Sequence, residues 1–524
     1  MSAPSDLRLW GGFDDHLDLV ARNVGTRYAA ILVDGVIGLL LLPFNIAHLG
    51  PSAYGLWALM ATVTVHFSVL DLGYGGALVR FVAQYRAWRD RTALNEILST
   101  MGVVFTAVGL VTFLVTLALA AHLPALFNVS PDQIETGRQV LLMIGGFIAL
   151  RFGLSIFGAV VYGFQRFYLN NLVGIVSSVA VAIVNVAVLQ AGYGLVELVA
   201  ATTLVRVLSL VAYVWTALHV YPGLRLSPGM FRLARLREVT GFSVYMLILD
   251  WSMRVNFSAD ALVIGALLST AAVAVWTVGQ RIADIVQQIT NQLNDALFPM
   301  VVDSGAVERR DRLRLILQQG TRLSLALAMP VCVGVIIVAD RLIEAWVGPG
   351  FSESVFVTQV LLAAVLCRVG AASASLILKG ASHPRFNAWV NATTAVVNVA
   401  LSIVVIRRFG LSGVALATFV PVASAAAFVL FPAACRRVGL PLGEAVRHAV
   451  WPAAWPAVIF GALLWWTRAI TPAGLLPTAC QLIVGGLIYE VLFFGFAISP
   501  DERTFYRTKV LQLLGRYRHL AAAA

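Results

Sequence analysis

Charged side chains are scarce in this chain of 524 residues: Asp, Glu, Lys and Arg make up 12% of it, and hydrophobic residues make up 60%. Soluble globular proteins carry about twice that share of charge, so a water-soluble fold is excluded. Because a bilayer offers the backbone no hydrogen-bond partner, spanning segments must be helices or a closed barrel. The apolar runs of about 20 residues lack an alternation of period two, which indicates helices. The sequence therefore predicts an all-α polytopic membrane protein.

The four cysteines are few and far apart. Disulfide frameworks and zinc sites need paired or clustered ligands, so we expect neither, and we expect no metal and no cofactor. The chain also lacks a basic opening followed by an apolar run, so we expect no cleavable signal peptide, and the first span itself must direct insertion. The cysteines are most simply packed thiols, at Cys332, Cys367, Cys435 and Cys480.

Acidic residues are fewer than basic ones, 26 against 37, which leaves a formal charge of +11. The basic residues collect in the short connections between apolar runs, where topology places them on the cytoplasmic side. We therefore expect no nucleic-acid partner, and both termini are predicted to face the cytoplasm. The basic inner connections include Arg80, Arg86, Arg89 and Arg91, then Arg225, Arg232, Arg235 and Arg237, and then Arg309, Arg310, Arg312 and Arg314.

The apolar runs predict about 14 transmembrane helices. All the outer connections are short, so no extracytoplasmic domain is expected. The predicted organisation is a cytoplasmic interfacial helix over 1–23, an N-lobe of six spans over 24–222, a basic cytoplasmic linker over 223–238, a C-lobe of six spans over 239–435, two further spans over 436–498 and a basic cytoplasmic tail over 499–524.

Two stretches resemble each other closely enough to indicate an internal duplication. Gln139-Val-Leu-Leu leads to Arg151-Phe-Gly153, and Gln359-Val-Leu-Leu leads to Arg368-Val-Gly370. Spans 4 to 6 therefore repeat as spans 10 to 12. Because six spans per repeat is an even number, the halves share one orientation, and transporters built in this way bind substrate between the halves.

A specific pair of stretches carries a family resemblance: Leu49-Gly-Pro-Ser-Ala-Tyr-Gly-Leu-Trp57, followed by Leu70-Asp-Leu-Gly-Tyr-Gly-Gly-Ala-Leu-Val-Arg80. They resemble the first hairpin of the polysaccharide-transporter branch of the MOP superfamily. Members of that branch are flippases of the Wzx type for O-antigen and other lipid-linked oligosaccharides, and their relatives include drug exporters. The resemblance implies two pseudo-symmetric six-helix bundles that form a V-shaped cavity, plus two C-terminal helices. It also implies cationic residues in a cavity that opens alternately to either side.

Four arginines lie near the middle of separate predicted spans: Arg151, Arg206, Arg254 and Arg368. A guanidinium at that depth costs about 2.5 to 3.5 kcal/mol, so it needs water, a partner or a substrate. No acidic residue lies three or four positions from Arg151 or Arg368, which makes them the strongest candidates to bind a substrate in the cavity. The alternative is a structural role, in which the guanidinium bonds to carboxylates or carbonyl groups of other helices.

For the other charged residues in the predicted spans, a structural role is an alternative to substrate binding. Asp250 lies four residues before Arg254, so the two can pair on one helix face. Arg27 is close enough to the inner end of the first span to reach the surface, and only the family resemblance suggests a role in substrate binding. Asp34 is too far along the helix to pair with Arg27. Asp34 and Asp250 are therefore candidates for a charge partner or for coupling to H⁺ or Na⁺.

Arg281 and Asp284 are similarly spaced in the eighth span and are expected to form a structural pair.

The sequence and the resemblance together predict a flippase in the bacterial cytoplasmic membrane. Its substrate would be a polyprenyl-diphosphate-linked oligosaccharide, and polysaccharide polymerase machinery is a possible partner. A cation-coupled multidrug exporter on the same scaffold is the first alternative. A membrane glycosyltransferase or ligase is the second, but such chemistry needs grouped carboxylates or metal ligands outside the membrane. We expect no enzyme activity.

Overall fold

The computed structural model describes residues 13–240, 259–306, 310–381, 384–498 and 502–504. Throughout these ranges the regular structure is helical, with no strand, as the hydropathy pattern predicts. The α-helices are α1 Phe13–Val65, α2 Tyr74–Trp88, α3 Arg91–Ala121, α4 Leu123–Leu126, α5 Ile134–Gly153, α6 Ser155–Gly163, α7 Phe167–Gln190, α8 Leu195–Val220, α9 233–240, α10 259–267, α11 Thr270–Ala306, α12 Arg310–Val347, α13 Ser352–Gly370, α14 Ala372–Ala381, α15 Pro384–Ser424, α16 Phe431–Val438, α17 Leu442–Ala445, α18 Trp451–Arg468 and α19 Leu475–Leu492.

Two of the long helices, α1 and α15, contain a kink at a glycine. In α1 the backbone leaves the helical region at Gly50, where φ is 78°, and in α15 it does so at Gly410, where φ is 56°. Glycine adopts positive φ without steric cost. At 1.5 Å per residue, the 50 residues of Arg22–Asp71 would extend about 75 Å, more than twice the roughly 30 Å hydrocarbon core. Each kink therefore separates two spans.

Nine helices in the described ranges are long and apolar enough to cross a membrane, and a bent pair would make ten. Two of the nine contain the kinks at Gly50 and Gly410. Residues 241–258, predicted to form most of the seventh span, lie outside the described part. The protein is a multi-pass membrane protein, and the count of about 14 spans stays a prediction.

The fourth and tenth spans are broken, which the sequence did not predict. The apolar runs over 139–163 and 356–379 each predict a single helix, the fourth and the tenth span. Instead, α5 ends at Gly153 and α6 begins at Ser155 with a bend of 48°. In the other repeat α13 ends at Gly370 and α14 begins at Ala372. The duplicated Arg-x-Gly sequence thus marks a helix end in both repeats.

The chain divides into two compact units, Met1–Thr277 and Val278–Ala524. In the first unit α3 packs along α5, and α7 packs between α1 and α8. The approach of α3 to α5 is so close that a Cβ on Gly109 would lie 2.4 Å from the carbonyl oxygen of Ala149. The predicted limits of the N-lobe and C-lobe stay a prediction.

The predicted linker is held against the first unit by polar contacts. Arg235 bonds Glu96 of α3 at 3.2 Å and the Tyr85 hydroxyl at 2.7 Å, and that hydroxyl donates to Glu238 at 2.8 Å. Burial, followed by the bond to Glu238, raises the pKa of Tyr85 to about 12. The backbone N–H of Arg232 donates to Thr100 at 3.0 Å. This segment is therefore a fixed part of the first unit.

In the second unit α12 is the central helix, since it packs against α13, α18 and α19. Polar contacts at one end attach the last two spans to it. Arg468 at the end of α18 pairs with Asp340 of α12. Arg341 donates to the backbone oxygen of Thr471 at 3.0 Å. The two additional spans are therefore part of the second compact unit.

Candidate functional site

Arg151 lies in the last turn of α5, at the break between α5 and α6. The free carbonyl groups at a helix end carry partial negative charge, which favours a cation there. Discontinuous helices are typical of substrate sites in transporters, because their ends present unpaired backbone groups to a ligand. The local fold therefore places this arginine where a ligand could reach both the guanidinium and the backbone of the break.

Arg206 of α8 lies close enough to Arg151 for the two positive charges to repel each other. It occupies the middle of a 26-residue helix. Both side chains are exposed on the first unit. Neither makes a hydrogen bond or an ion pair with any other residue in the described ranges. We call these two guanidinium groups the arginine pair.

Tyr213 lies beside the arginine pair and was missed at the sequence level. Its hydroxyl interacts electrostatically with Tyr162, Arg151 and Asp34. Tyr213 follows Arg206 by seven residues, so the two lie two turns apart on one face of α8. That spacing is the signal that could have found it. The structure therefore gathers Arg151, Arg206 and Asp34, three of the predicted site residues, around one tyrosine.

Arg27 lies elsewhere, near the start of α1. It is exposed and makes no hydrogen bond or ion pair within the described part of the chain. It follows Asn23 by one helical turn, and the Asn23 amide donates to the backbone oxygen of Gln165 at 2.8 Å. Because Gln165 lies in the turn between α6 and α7, Arg27 is next to that turn. The structure shows no electrostatic contact between Arg27 and the arginine pair among the described residues.

Arg368, the counterpart of Arg151 in the second unit, lies in the last turn of α13, again just before a break. Its electrostatic surroundings differ, because Asp284 of α11 attracts both Arg281 and Arg368. The expected pairing of Arg281 with Asp284 therefore extends to a second arginine. The sequence spacing around Arg368 could not predict this contact, because Asp284 lies on another helix.

The remaining two predicted site residues, Arg254 and Asp250, lie outside the described residues. The ranges that the structure covers contain no group of three His, Cys, Asp or Glu side chains that could hold a metal ion.

The chain is similar to known flippases and transporters. It is 21% identical over 407 residues to the probable flippase AglR of Haloferax volcanii, an alignment that covers 76% of this chain and 80% of that protein. Its structure matches the lipid II flippase MurJ in an inward closed conformation, with a TM-score of 0.71, 13% identity and coverage of 93% of this chain and 99% of that one. An inward-facing multidrug resistance MATE transporter of the MOP superfamily matches with a TM-score of 0.63 and 14% identity, over 78% of this chain and 94% of the other.

The solved structures support the fold expected from the resemblance to the MOP superfamily. The family model for polysaccharide biosynthesis proteins matches residues 48–356. That match includes both stretches of the first hairpin and the broken span of α5 and α6, and it ends in the first turns of α13. It covers more than half of the chain, and the chain therefore belongs to the polysaccharide biosynthesis protein family.

Proposed function

We propose that the protein is a flippase that moves a polyprenyl-diphosphate-linked oligosaccharide from the inner to the outer leaflet of the bacterial cytoplasmic membrane by alternating access. The observation that carries the proposal is the arginine pair, in which Arg151 and Arg206 lie together at a broken span with no acidic partner in the described residues. Membership of the polysaccharide biosynthesis family and similarity to a probable flippase support it.

The diphosphate headgroup is the part of this substrate that cannot cross a bilayer unaided. It carries roughly two negative charges and must pass about 30 Å of hydrocarbon. Arginine is permanently charged, and its planar donors bind phosphate oxygens in a bidentate manner. Two such groups that repel each other are both relieved when a dianion binds between them. The Tyr213 hydroxyl donates to the backbone oxygen of Asn170 at 3.4 Å, and it would exchange this bond to donate to a phosphate or sugar oxygen.

The membrane potential favours this direction of transport. Each negative charge that moves outward gains about 2.3 kcal/mol per 100 mV when the inside is negative. A coupling ion is therefore not required by energetics. Asp34, beside Tyr213, and Asp250 are the residues that would bind H⁺ or Na⁺ if coupling occurs. The proposal includes no other cofactor.

The other predicted site residues have secondary roles in this proposal. Arg368, which Asp284 attracts, and Arg254 would also bind the headgroup during transport. Arg27 would act near the inner surface. Both termini would face the cytoplasm, where polysaccharide polymerase machinery could also associate.

The second candidate is a cation-coupled multidrug exporter, which the structural similarity to a MATE transporter favours. The arginine pair would repel cationic drugs, which counts against this candidate. A membrane glycosyltransferase or ligase is the third candidate. New glycosidic bonds formed by purified protein on a labelled carrier would indicate that enzyme, whereas a change of leaflet alone indicates a flippase.

The test is replacement of Arg151 and Arg206, one at a time, by Ala and by Lys. Outer-leaflet carrier glycan is then measured in cells at equal protein level. Loss of an arginine–phosphate bond costs about 1.5 to 3 kcal/mol, so we expect each alanine variant to lose about 10- to 100-fold in transport. Lysine should restore part of it, because it keeps the charge but not the planar pair of donors.

Arg237→Gln is the matched control, since Arg237 is exposed, lies in a basic inner connection and has no partner in the described ranges. It should transport normally. If both alanine variants transport as well as this control, the assignment of the arginine pair to the headgroup is wrong.

A further inference from the structure

A second basic cluster lies at the turn between α6 and α7, at the opposite end of α6 from Arg151. Arg86 comes from α2, and Arg166 is the residue immediately before α7. The two are 80 positions apart in the chain, yet they lie close enough for their charges to repel each other. Burial lowers the pKa of Arg86, and the charge of Arg166 lowers it further.

Both arginines are held in place by their surroundings. The Arg86 guanidinium lies over the Phe164 ring, 5.0 Å from its centre, and donates to the backbone oxygen of Gly163 at 3.4 Å. Gly163 is itself fixed, because a Cβ there would lie 2.3 Å from the Val82 side chain. This close contact locks α2 against α6.

The turn that carries Arg166 adopts a strained backbone conformation. Gln165 has φ of 61° although it is not a glycine, which costs about 1 kcal/mol or more. Asn23 of α1 holds the turn on both sides: its amide donates to the oxygen of Gln165 at 2.8 Å, and its own oxygen accepts from the N–H of Tyr168 at 2.8 Å. Such strain persists only where the surroundings enforce it and is typical of functional sites.

The positive-inside rule does not account for this arrangement. That rule depends on the number of basic residues in a connection and not on where their side chains lie. Here two like charges are brought together, and the side chain of Arg166 makes no hydrogen bond or ion pair with any residue of the described ranges. The first N–H groups of the 24-residue helix α7 add partial positive charge at the same place. A phosphate group would reduce the repulsion between the two arginines and accept hydrogen bonds from the Arg166 guanidinium.

We propose that Arg86 and Arg166 form a receiving site for the lipid-linked diphosphate, separate from the arginine pair. This proposal rests on the proposed function. The half-helix α6 has nine residues and therefore spans about 14 Å between the two clusters. The headgroup first binds at the α6–α7 turn and then passes along α6 to Arg151 and Arg206. Arg27 of α1 lies next to the same turn, one helical turn after Asn23.

The test is equilibrium binding of a fluorescent polyprenyl diphosphate to purified full-length protein in nanodiscs of phosphatidylcholine. Arg166→Gln should weaken binding about tenfold, the effect of one charge-assisted bond, and Arg166→Lys should weaken it less. Arg237→Gln removes the same charge from another inner connection and should bind like the wild type. Size-exclusion profiles and apparent Tm values check folding, and Arg166 is the preferred site because its side chain does not pack like that of Arg86.

The double variant Arg151→Ala, Arg206→Ala separates this proposal from the proposed function. It should retain binding of the polyprenyl diphosphate, and adding Arg166→Gln should abolish the remainder. If the double variant loses all binding while Arg166→Gln alone binds like the wild type, the receiving site is wrong and the proposed function stands. If the wild type does not bind the probe, the proposed function itself fails.

Two further arms identify the source of the phosphate. Inorganic pyrophosphate should compete at least tenfold less well than the lipid-linked probe. Phosphatidylglycerol at one fifth of the nanodisc lipid should leave the Arg166 dependence intact. Equal competition by pyrophosphate, or loss of that dependence in phosphatidylglycerol, would overturn the assignment to a lipid-linked diphosphate.

Discussion

Arginine residues inside this protein differ in what neutralises them. Arg322 of α12 is buried and pairs with Glu502 from the segment after the last span. Arg151 and Arg206 are exposed on the first unit and have no such partner in the described ranges. A residue that serves only the fold contributes to stability. A residue kept for a ligand reduces stability until the ligand binds.

This difference gives opposite predictions for two chemically identical substitutions. Arg206→Gln removes a like-charge repulsion and should raise the apparent Tm of the purified protein by about 2 °C, corresponding to about 1 kcal/mol. Arg322→Gln leaves Glu502 without its partner and should lower stability by about 3 kcal/mol. Thermal unfolding in one detergent measures both changes.

Arg237→Gln, at an exposed position, should change stability by less than about 0.5 kcal/mol. A clear loss of stability in Arg206→Gln would mean that this arginine holds helices together, contrary to its assignment to a ligand.

At the scale of helices, the hydropathy pattern predicted that the apolar runs are helical but not where they break. The kinks at Gly50 and Gly410 occur where glycine adopts positive φ. The break after Gly153 was hidden, because hydropathy stays high from α5 into α6. The repeated Arg-x-Gly sequence was the available signal, since glycine is common at helix ends.

The contacts around the candidate site were harder to predict than the helices that carry them. Asp284 meets Arg368 from another helix, and Arg86 meets Arg166 across 80 residues. Sequence spacing reports only neighbours on the same helix. Hydropathy therefore identified the arginines inside the predicted spans. It could not predict which of them lie beside a carboxylate.

The start of the second half of α1 supplies a test of helix packing. This stretch contains Gly55, and a Cβ there would lie 1.8 Å from the backbone oxygen of Thr270 at the start of α11. Ser52 also bonds Thr270 at 3.1 Å. Because the obstacle is backbone, Gly55→Ala should force the helices apart and lower stability by about 2 kcal/mol, measured as apparent Tm.

Gly76→Ala is the matched control, since Gly76 lies in helix α2 with open space around its Cα. Alanine favours helix over glycine, so this variant should be unchanged or more stable by up to about 1 kcal/mol. Equal behaviour of the two variants would show that the approach of α1 to α11 does not depend on Gly55.

At the scale of the whole molecule, the two repeats share a plan but differ in charge. Each has an arginine at the end of a broken span, Arg151 in the first unit and Arg368 in the second. In the first unit the neighbour is a second arginine, whereas in the second unit Asp284 attracts Arg368 and Arg281. Each unit thus has two arginines and one aspartate, but Asp34 of the first unit interacts with Tyr213, whereas Asp284 interacts with both arginines of the second. An anionic headgroup should therefore depend more on the first unit than on the second.

This asymmetry predicts an order of effects on transport. Arg368→Ala should reduce outer-leaflet glycan by less than tenfold, because Arg281 remains beside Asp284, whereas Arg151→Ala should cost about 10- to 100-fold. Asp284→Asn should strengthen binding of a polyprenyl diphosphate, because it exposes the charge of two arginines to the ligand. Transport at equal expression and binding in nanodiscs measure the two effects. Two outcomes would contradict this assignment: a larger loss of transport in Arg368→Ala than in Arg151→Ala, or weaker binding in a correctly folded Asp284→Asn variant. In either case the second unit carries the main anion site.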